Sequence, residues 1–201
     1  VALLEGNYTV SLCDRKDIEK FIEEHHYSKS INGVMSQYCF KLELDGTLIG
    51  GMLYGQLGMA NAWKKYADDP SKVIELRRLC LIDDTPKNSE SFFIGKTLRW
   101  LKQNTDIQTV VSYADPNYGH QGTIYQATNF TLAGKTSKGR VIMHNGRKYH
   151  DKAIRTMYNG KLKPFAQRLK DALEAGEAYY VDQDPKYIYV RQLRRVKKSG
   201  S

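Results

Sequence analysis

Asp115, His120 and Tyr125 crowd into one short stretch, SYADPNYGHQGTIYQATNF, just past the apolar pair Val110-Val111. A carboxylate, an imidazole and a phenol so close together are the groups of acid–base chemistry. The carboxylate can take a proton from an attacking amine or ligate a metal. The phenol can protonate a leaving group or stack on a base. Gly119 and Gly122 would let the backbone approach a ligand closely. Plainer readings stay open on the residues alone: a turn aspartate before Pro116 and a packed helical tyrosine. Ser112 and Tyr113 alternate along the preceding strand, so one of them is expected to line a cleft.

Two further groups of residues carry chemical potential. His25 follows Ile18 at i+7 and His26 follows Ile22 at i+4, so both are expected to turn partly inward at a helix end. Such histidines are a neutral-pH base or a metal ligand, or else one core histidine and one favoured by the helix dipole. In VIELRRL, strict alternation puts Glu75, Arg77 and Leu79 on one face and Ile74, Leu76 and Arg78 on the other. A strand covered on both faces is apolar on both. One arginine at least therefore sits where burial is expected, either to hold an anion or to pair with a carboxylate.

The elements that position these groups are legible from periodicity. NYTVSLCD alternates as a strand. DRKDIEKFIEEHHY reads as a helix capped by Asp14, with a stripe of Ile18, Phe21 and Ile22. QYCFKLELDGTLIGGMLYG is a hairpin turning at Asp45-Gly46. GMANAWKKYADDPSK is a short helix or ordered loop. Residues 73–82 form a long strand, and Asn88 or Ser89 caps a helix through about Leu101. The strand 107–114 leads to a short helix opened by Gly122 and Thr123. Short strands follow near Phe130 and Val141–Met143. A helix over 163–176 has Phe165, Leu169, Ala172 and Leu173 at helical spacing, and KYIYVRQL is a last strand. The order predicts an α/β fold with a mixed sheet flanked by helices. No glycine fingerprint follows the first strand, which excludes a dinucleotide fold.

Charge is distributed unevenly. The 201 residues carry a net +9, yet residues 1–134 hold 14 Lys and Arg against 16 Asp and Glu, a net of −2. Residues 135–201 hold 17 against 6, a net of +11. The expected organisation is a core over 1–134 and a basic part over 135–201 that completes the sheet within one compact domain. A polyanion partner follows, with nucleic acid the usual one. The expected contacts are Lys135, Lys138, Arg140, Arg147, Lys148, Arg194 and Arg195. Cys13, Cys39 and Cys80 read as buried free thiols in a reducing compartment. No apolar run approaches a membrane span and no signal peptide is read, so no membrane partner is expected. Oligomeric state is not readable.

The element order resembles the GNAT acyltransferase superfamily. In that fold the fourth and fifth strands splay apart to take an acyl donor, and a tyrosine on the next helix, here Tyr125, protonates the departing thiolate. IELRRLCLIDDTPKNSES, VVSYADPNYGHQGTIYQATNF and HHYSKS are more specifically similar to the Mom family of phage DNA-modification proteins. The likeness runs from about His25 to Phe130 and weakens beyond. It implies a methylcarbamoyl group placed on adenine N6 in double-stranded DNA, in the cytoplasm of the infected bacterial host, as protection from restriction. Such an enzyme flips its adenine out of the duplex. The residues implied are His26, Tyr27, Arg77 or Arg78, Asp115 and Tyr125. The usual pyrophosphate-binding glycine loop is replaced by TPKNSESFFIG. Acetyl-CoA is therefore the less expected donor, although Ser89 and Ser91 at the helix N-terminus, with Ser112 of the strand, could assist one. Fe²⁺ held by His26, Tyr27 and Asp115 is the other option. Rival readings are an acyl-CoA-dependent N-acetyltransferase on a small amine and a non-catalytic DNA-binding protein.

Overall fold

The computed structural model describes residues 6–28, 31, 33–59 and 61–194. These divide into two compact units. The first comprises Val1–Ala114, His120–Gly134 and Tyr187–Ser201, and the second Asp115–Gly119 and Lys135–Lys186.

The first unit contains β1 (Tyr8–Cys13), α1 (Arg15–His25), β2 (Tyr38–Leu44), β3 (Thr47–Gly55), β4 (Val73–Leu81), α2 (Ser89–Asn104), β5 (Thr109–Ala114), α3 (Thr123–Ala127), most of β6 (Thr131–Lys135) and the final strand, Tyr187–Gln192. The predicted Asp45-Gly46 turn joins β2 to β3, with both residues at positive φ (50° and 81°), the geometry a tight hairpin needs. Two 3₁₀ turns, Ala62–Lys65 and Pro70–Lys72, occupy the stretch read as a helix or loop. The helix predicted from the Ile18 and Ile22 stripe is α1; the Asp17 carboxylate accepts the Asp14 N–H at 3.0 Å. Ile18 and Ile22 are fully buried with Leu53 and Cys80 on one face of the sheet. On the other face Phe93, Ile94, Leu98 and Leu101 of α2 pack on Phe40, Met52, Ile74 and Val110. Each such side chain contributes roughly 1.5–3 kcal/mol by leaving water. Tyr187–Gln192 pairs antiparallel with β5.

The alternation expected along β4 is broken. Arg78 pairs with Leu53 and Leu76 with Tyr54, so Arg77 is an extra residue in a β-bulge. Leu76 and Leu79, three apart, consequently both pack on the α2 side, and the two arginines between them are absent from that cluster. A bulge shifts every later side chain to the opposite face from strict alternation.

Strands β4 and β5 run parallel only from Val73↔Thr109 to Leu76↔Ser112, while β4 continues to Leu81 and β5 to Ala114. They part at Leu76 and Ser112, as expected of the splayed strands.

The second unit holds the rest of the chain: β7 (Gly139–His144), β8 (Arg147–His150), α4 (Pro164–Glu174) and β9 (Ala178–Gln183), which makes Tyr187–Gln192 β10. Its three strands are ordered β8-β7-β9. Ile142, Leu169, Ala172 and Ala178 form its core. β8 and β9 were not anticipated. Phe165, expected in the buried stripe of α4, is 43% exposed, and Ala166 takes the inward position.

Candidate active site

The point where β4 and β5 part is a polar cluster inside an apolar sheet. Ser112 is fully buried and its hydroxyl donates to the Leu76 carbonyl at 3.4 Å. Tyr125 of α3 shares a side-chain hydrogen bond with Ser112. Its ring packs 5.4 Å from both Phe130 and Tyr189. Burial pushes the Tyr125 phenol up to about 12; the Ser112 hydrogen bond opposes this, and Tyr27 and Glu75 add to it. Tyr125 is therefore a protonated donor at neutral pH. Of the two alternating residues, Ser112 faces this cluster. Tyr113 is half-buried, and burial lifts its phenol to about 12 as well.

His26 joins from the end of α1. It is 5% exposed, while His25 is exposed and stacks on Phe21; only one of the two histidines turns inward. The chain leaves helical geometry at His26, which is extended at φ −80° and ψ 138°. Burial, with smaller contributions from Arg78 and His120, lowers His26 to about 4. Its Nδ1 accepts the Ser28 N–H at 3.1 Å and meets the Ser28 hydroxyl at 2.8 Å. The neutral ring therefore carries its proton on Nε2 and acts as a donor. The Tyr27 ring lies beside both imidazoles, with centroids 4.2 Å from His26 and 4.9 Å from His120.

The bulge separates the roles of the two arginines. Arg77 is engaged locally, although its buried Nε, like that of Arg78, has no hydrogen-bond partner: it donates to the Gln56 carbonyl at 2.8 Å and lies 3.6 Å from Glu75, whose carboxylate also accepts the Gly58 N–H. Arg78 donates to the Arg77 carbonyl at 2.7 Å, and its buried Nε has no partner. It forms no ion pair among the described residues. A half-buried guanidinium left in this state is suited to an anion or a developing negative charge.

Asp115 belongs to the second unit. It is 6% exposed and accepts from the Asn117 N–H at 3.0 Å, from Asn117 Nδ2 at 2.8 Å and from Lys186 at 2.9 Å. Burial alone would raise its pKa, but Lys186 and Asn117 outweigh it and hold it below the usual carboxylate value. So held, it takes a proton less readily than an ordinary aspartate. The same unit carries exposed Lys135, Lys138, Arg147 and Lys148. Arg140 lies 4.0 Å over Tyr180 and Lys148 lies 5.0 Å over Tyr118. Arg194, of the first unit, donates to the Lys102 and Thr105 carbonyls at 2.5 and 2.6 Å and so caps α2. Arg195 lies outside the described residues.

The serines and the metal ligands expected to hold a cofactor are engaged elsewhere. Ser89 is 1% exposed and donates to the Pro86 carbonyl at 2.7 Å; Ser91 donates to the Asn88 carbonyl at 3.0 Å. Both hydroxyl protons that a pyrophosphate would use are committed to their own turn. For iron, no group of three or more His, Cys, Asp and Glu among the described residues is placed to hold a metal ion. His26 keeps its proton on Nε2 and Asp115 is engaged by Lys186, so His26, Tyr27 and Asp115 do not fit an iron site.

Residues outside the expected set also build the site. The Tyr189 hydroxyl donates to the Gln121 carbonyl at 2.8 Å and accepts from Gln126 at 3.3 Å, which fixes the entry to α3. Its signal is faint: one tyrosine in a strand with three aromatic or branched neighbours. Glu75 and Gly58 tie the loop before β4 to the bulge.

The sequence profile of the Mom protein family matches residues 7–199. Methylcarbamoylase mom of Escherichia phage Mu is 29% identical over 143 residues, which are 69% of this chain and 58% of that protein; the chain thus spans less than two thirds of its length. Among solved structures, an N-acetyltransferase from Staphylococcus aureus Mu50 superposes with a TM-score of 0.53 at 15% identity, over 94% of this chain and 100% of its own. An acetyltransferase from Bacillus subtilis in complex with CoA gives 0.53 at 11% identity, over 92% and 99%. At these identities the likeness establishes the fold: a mixed sheet flanked by helices, of the GNAT acetyltransferase kind.

Proposed function

Because the chain belongs to the Mom protein family, we propose that it is a phage DNA-modification enzyme that places a methylcarbamoyl group on adenine N6 in duplex DNA. The observation that carries this reading is the convergence of Tyr125, Ser112, Arg78, Tyr27 and His26 around the point where β4 and β5 part. Adenine N6 is a poor nucleophile because its lone pair is delocalised, so the reaction needs proton transfer and a stabilised developing charge. Tyr125 supplies a proton to the departing group. Arg78 and the His26 Nε2–H hold the charge that develops, and the Tyr27 ring, beside both imidazoles, positions the base. Asp115, the proton acceptor implied by the resemblance, enters that role only when Lys186 and Asn117 release it. The basic second unit supplies contacts to phosphates, which offset the few kcal/mol of flipping the base. The setting is the host cytoplasm; no helix among the described residues is long and apolar enough to cross a membrane. Plasmid DNA from expressing cells should resist restriction enzymes that contact adenine N6. Full sensitivity with the protein present and folded would overturn the reading.

A second reading, acyl-CoA-dependent acetylation of a small amine, is favoured by one feature. A groove of about 780 Å³ along α2 is lined by Ser91, Arg99, Lys102 and Arg191, a basic surface for a nucleotide end. Calorimetry with acetyl-CoA separates the two: micromolar binding supports this second reading, and no heat supports another donor.

A further inference from the structure

The adenine chemistry makes no use of a second cavity, of about 540 Å³, in the second unit. It opens between the turn that joins β7 to β8 and the outer side of α4. Arg147, Tyr149, Phe165 and Arg168 surround it, with His144 at its edge and Leu169 at its base. Leu169 is 2% exposed and belongs to the unit's core, and Tyr149 packs against the same cluster. Phe165 is 43% exposed, so an aromatic wall stands open to solvent.

The four arginines of the unit fall into two pairs. Arg140 and Arg155 both lean on Asp151, at 3.7 and 2.6 Å. The side chains of Arg147 and Arg168 have neither an ion-pair nor a hydrogen-bond partner among the described residues, and no acidic residue among those described lines the cavity. The unit as a whole holds 12 Lys and Arg against 7 Asp and Glu, a net of +5. The cavity's volume lies within the range of small-molecule sites, roughly 300–1,000 Å³. Two open guanidiniums beside an aromatic face match a phosphate and a base in one ligand.

We propose that this cavity binds one unstacked nucleotide of a DNA strand, with its phosphodiester between Arg147 and Arg168 and its base against Phe165 and Tyr149. The choice of nucleic acid as partner rests on the DNA-modification reading.

The test uses the full chain and two variants, Phe165→Ala and the double variant Arg147→Ala/Arg168→Ala. Fluorescence anisotropy compares a labelled single-stranded oligonucleotide with an abasic strand of the same length. The wild-type protein should prefer the strand with bases. Phe165→Ala should weaken that binding about tenfold, the scale of one lost base–aromatic stack, and leave the abasic strand unaffected. The double variant should weaken both and flatten the dependence of log K on log salt by about 1. These side chains are exposed, so unfolding midpoints should be unchanged. Equal wild-type affinity for the two strands, or a double variant that binds like wild type, overturns the proposal. Nucleoside analysis of DNA from the same expressing cells distinguishes the failures. Modified adenine with indifferent cavity variants rejects the cavity alone. Cavity effects without modified adenine uphold the cavity and reject the enzymatic reading.

Discussion

Tyr125 and His26 acquire their chemical character from burial. With its phenol raised to about 12, Tyr125 stays protonated across the neutral range. Tyr125→Phe keeps the ring contacts but removes the proton and the buried hydrogen bond to Ser112, so modification should fall by about 10²–10⁴-fold while stability falls by only about 1–2 kcal/mol. An equal loss of stability in that variant would reassign Tyr125 to packing. His26 makes a separate prediction about pH. Its value is near 4 when folded and near 6.5 ordinarily. Between these values the unfolded chain binds a proton that the folded protein refuses, so stability falls as pH drops and is flat above about 6.5. The loss from pH 6.5 to 5 should be about 1.5 kcal/mol. Denaturant titrations of His26→Gln should show that slope removed; an unchanged profile would mean that His26 is not the group responsible. Which histidine turns inward was not readable from spacing, because the helix ends between the two. Nor could alternation show that Arg77 is the arginine paired with a carboxylate and Arg78 the one with no ion pair among the described residues, since the bulge resides in a pairing with β3 that one strand's sequence does not contain.

The elements hold the site through close backbone approach. Gly122, at the start of α3, has φ of 85°, and a Cβ there would stand 2.1 Å from the Tyr189 ring. Gly119 has φ of 77° but open space around it. Gly119→Ala should cost about 1–2 kcal/mol from backbone conformation alone. Gly122→Ala should cost about 3 kcal/mol or more, because the ring that fixes α3 must move. Equilibrium unfolding of the pair checks this, and equal costs would mean that Tyr189 does not set the entry to α3. Strands and helices with strong apolar periodicity were legible: β1 to β5, α1, α2 and β10 all fall within a few residues of expectation. β8 was missed because RKYH reads as a charge run, although the Asn145-Gly146 pair before it, at φ of 48° and 71°, is the residue pair a tight hairpin uses. β9 was missed because AYYVDQ is mostly exposed and lacks alternation of hydrophobicity.

For the whole molecule, the uneven charge and the mixed sheet flanked by helices were visible in the sequence, but the three-stranded sheet of the second unit was not. The chain returns to the first unit's sheet through β10, and Arg194 spends its charge on capping α2. If about five phosphates are met by the remaining basic residues, log K for duplex DNA should fall with log salt at a slope of about −4 to −5. A slope near zero would reject the basic surface as the DNA contact. The central claim, that a site built on Tyr125 and Arg78 modifies adenine, is tested most directly by mass spectrometry of nucleosides from plasmid DNA of expressing cells. The account predicts a heavier deoxyadenosine derivative with the wild-type protein and none with Tyr125→Phe. Unmodified deoxyadenosine from cells containing soluble wild-type protein would contradict it.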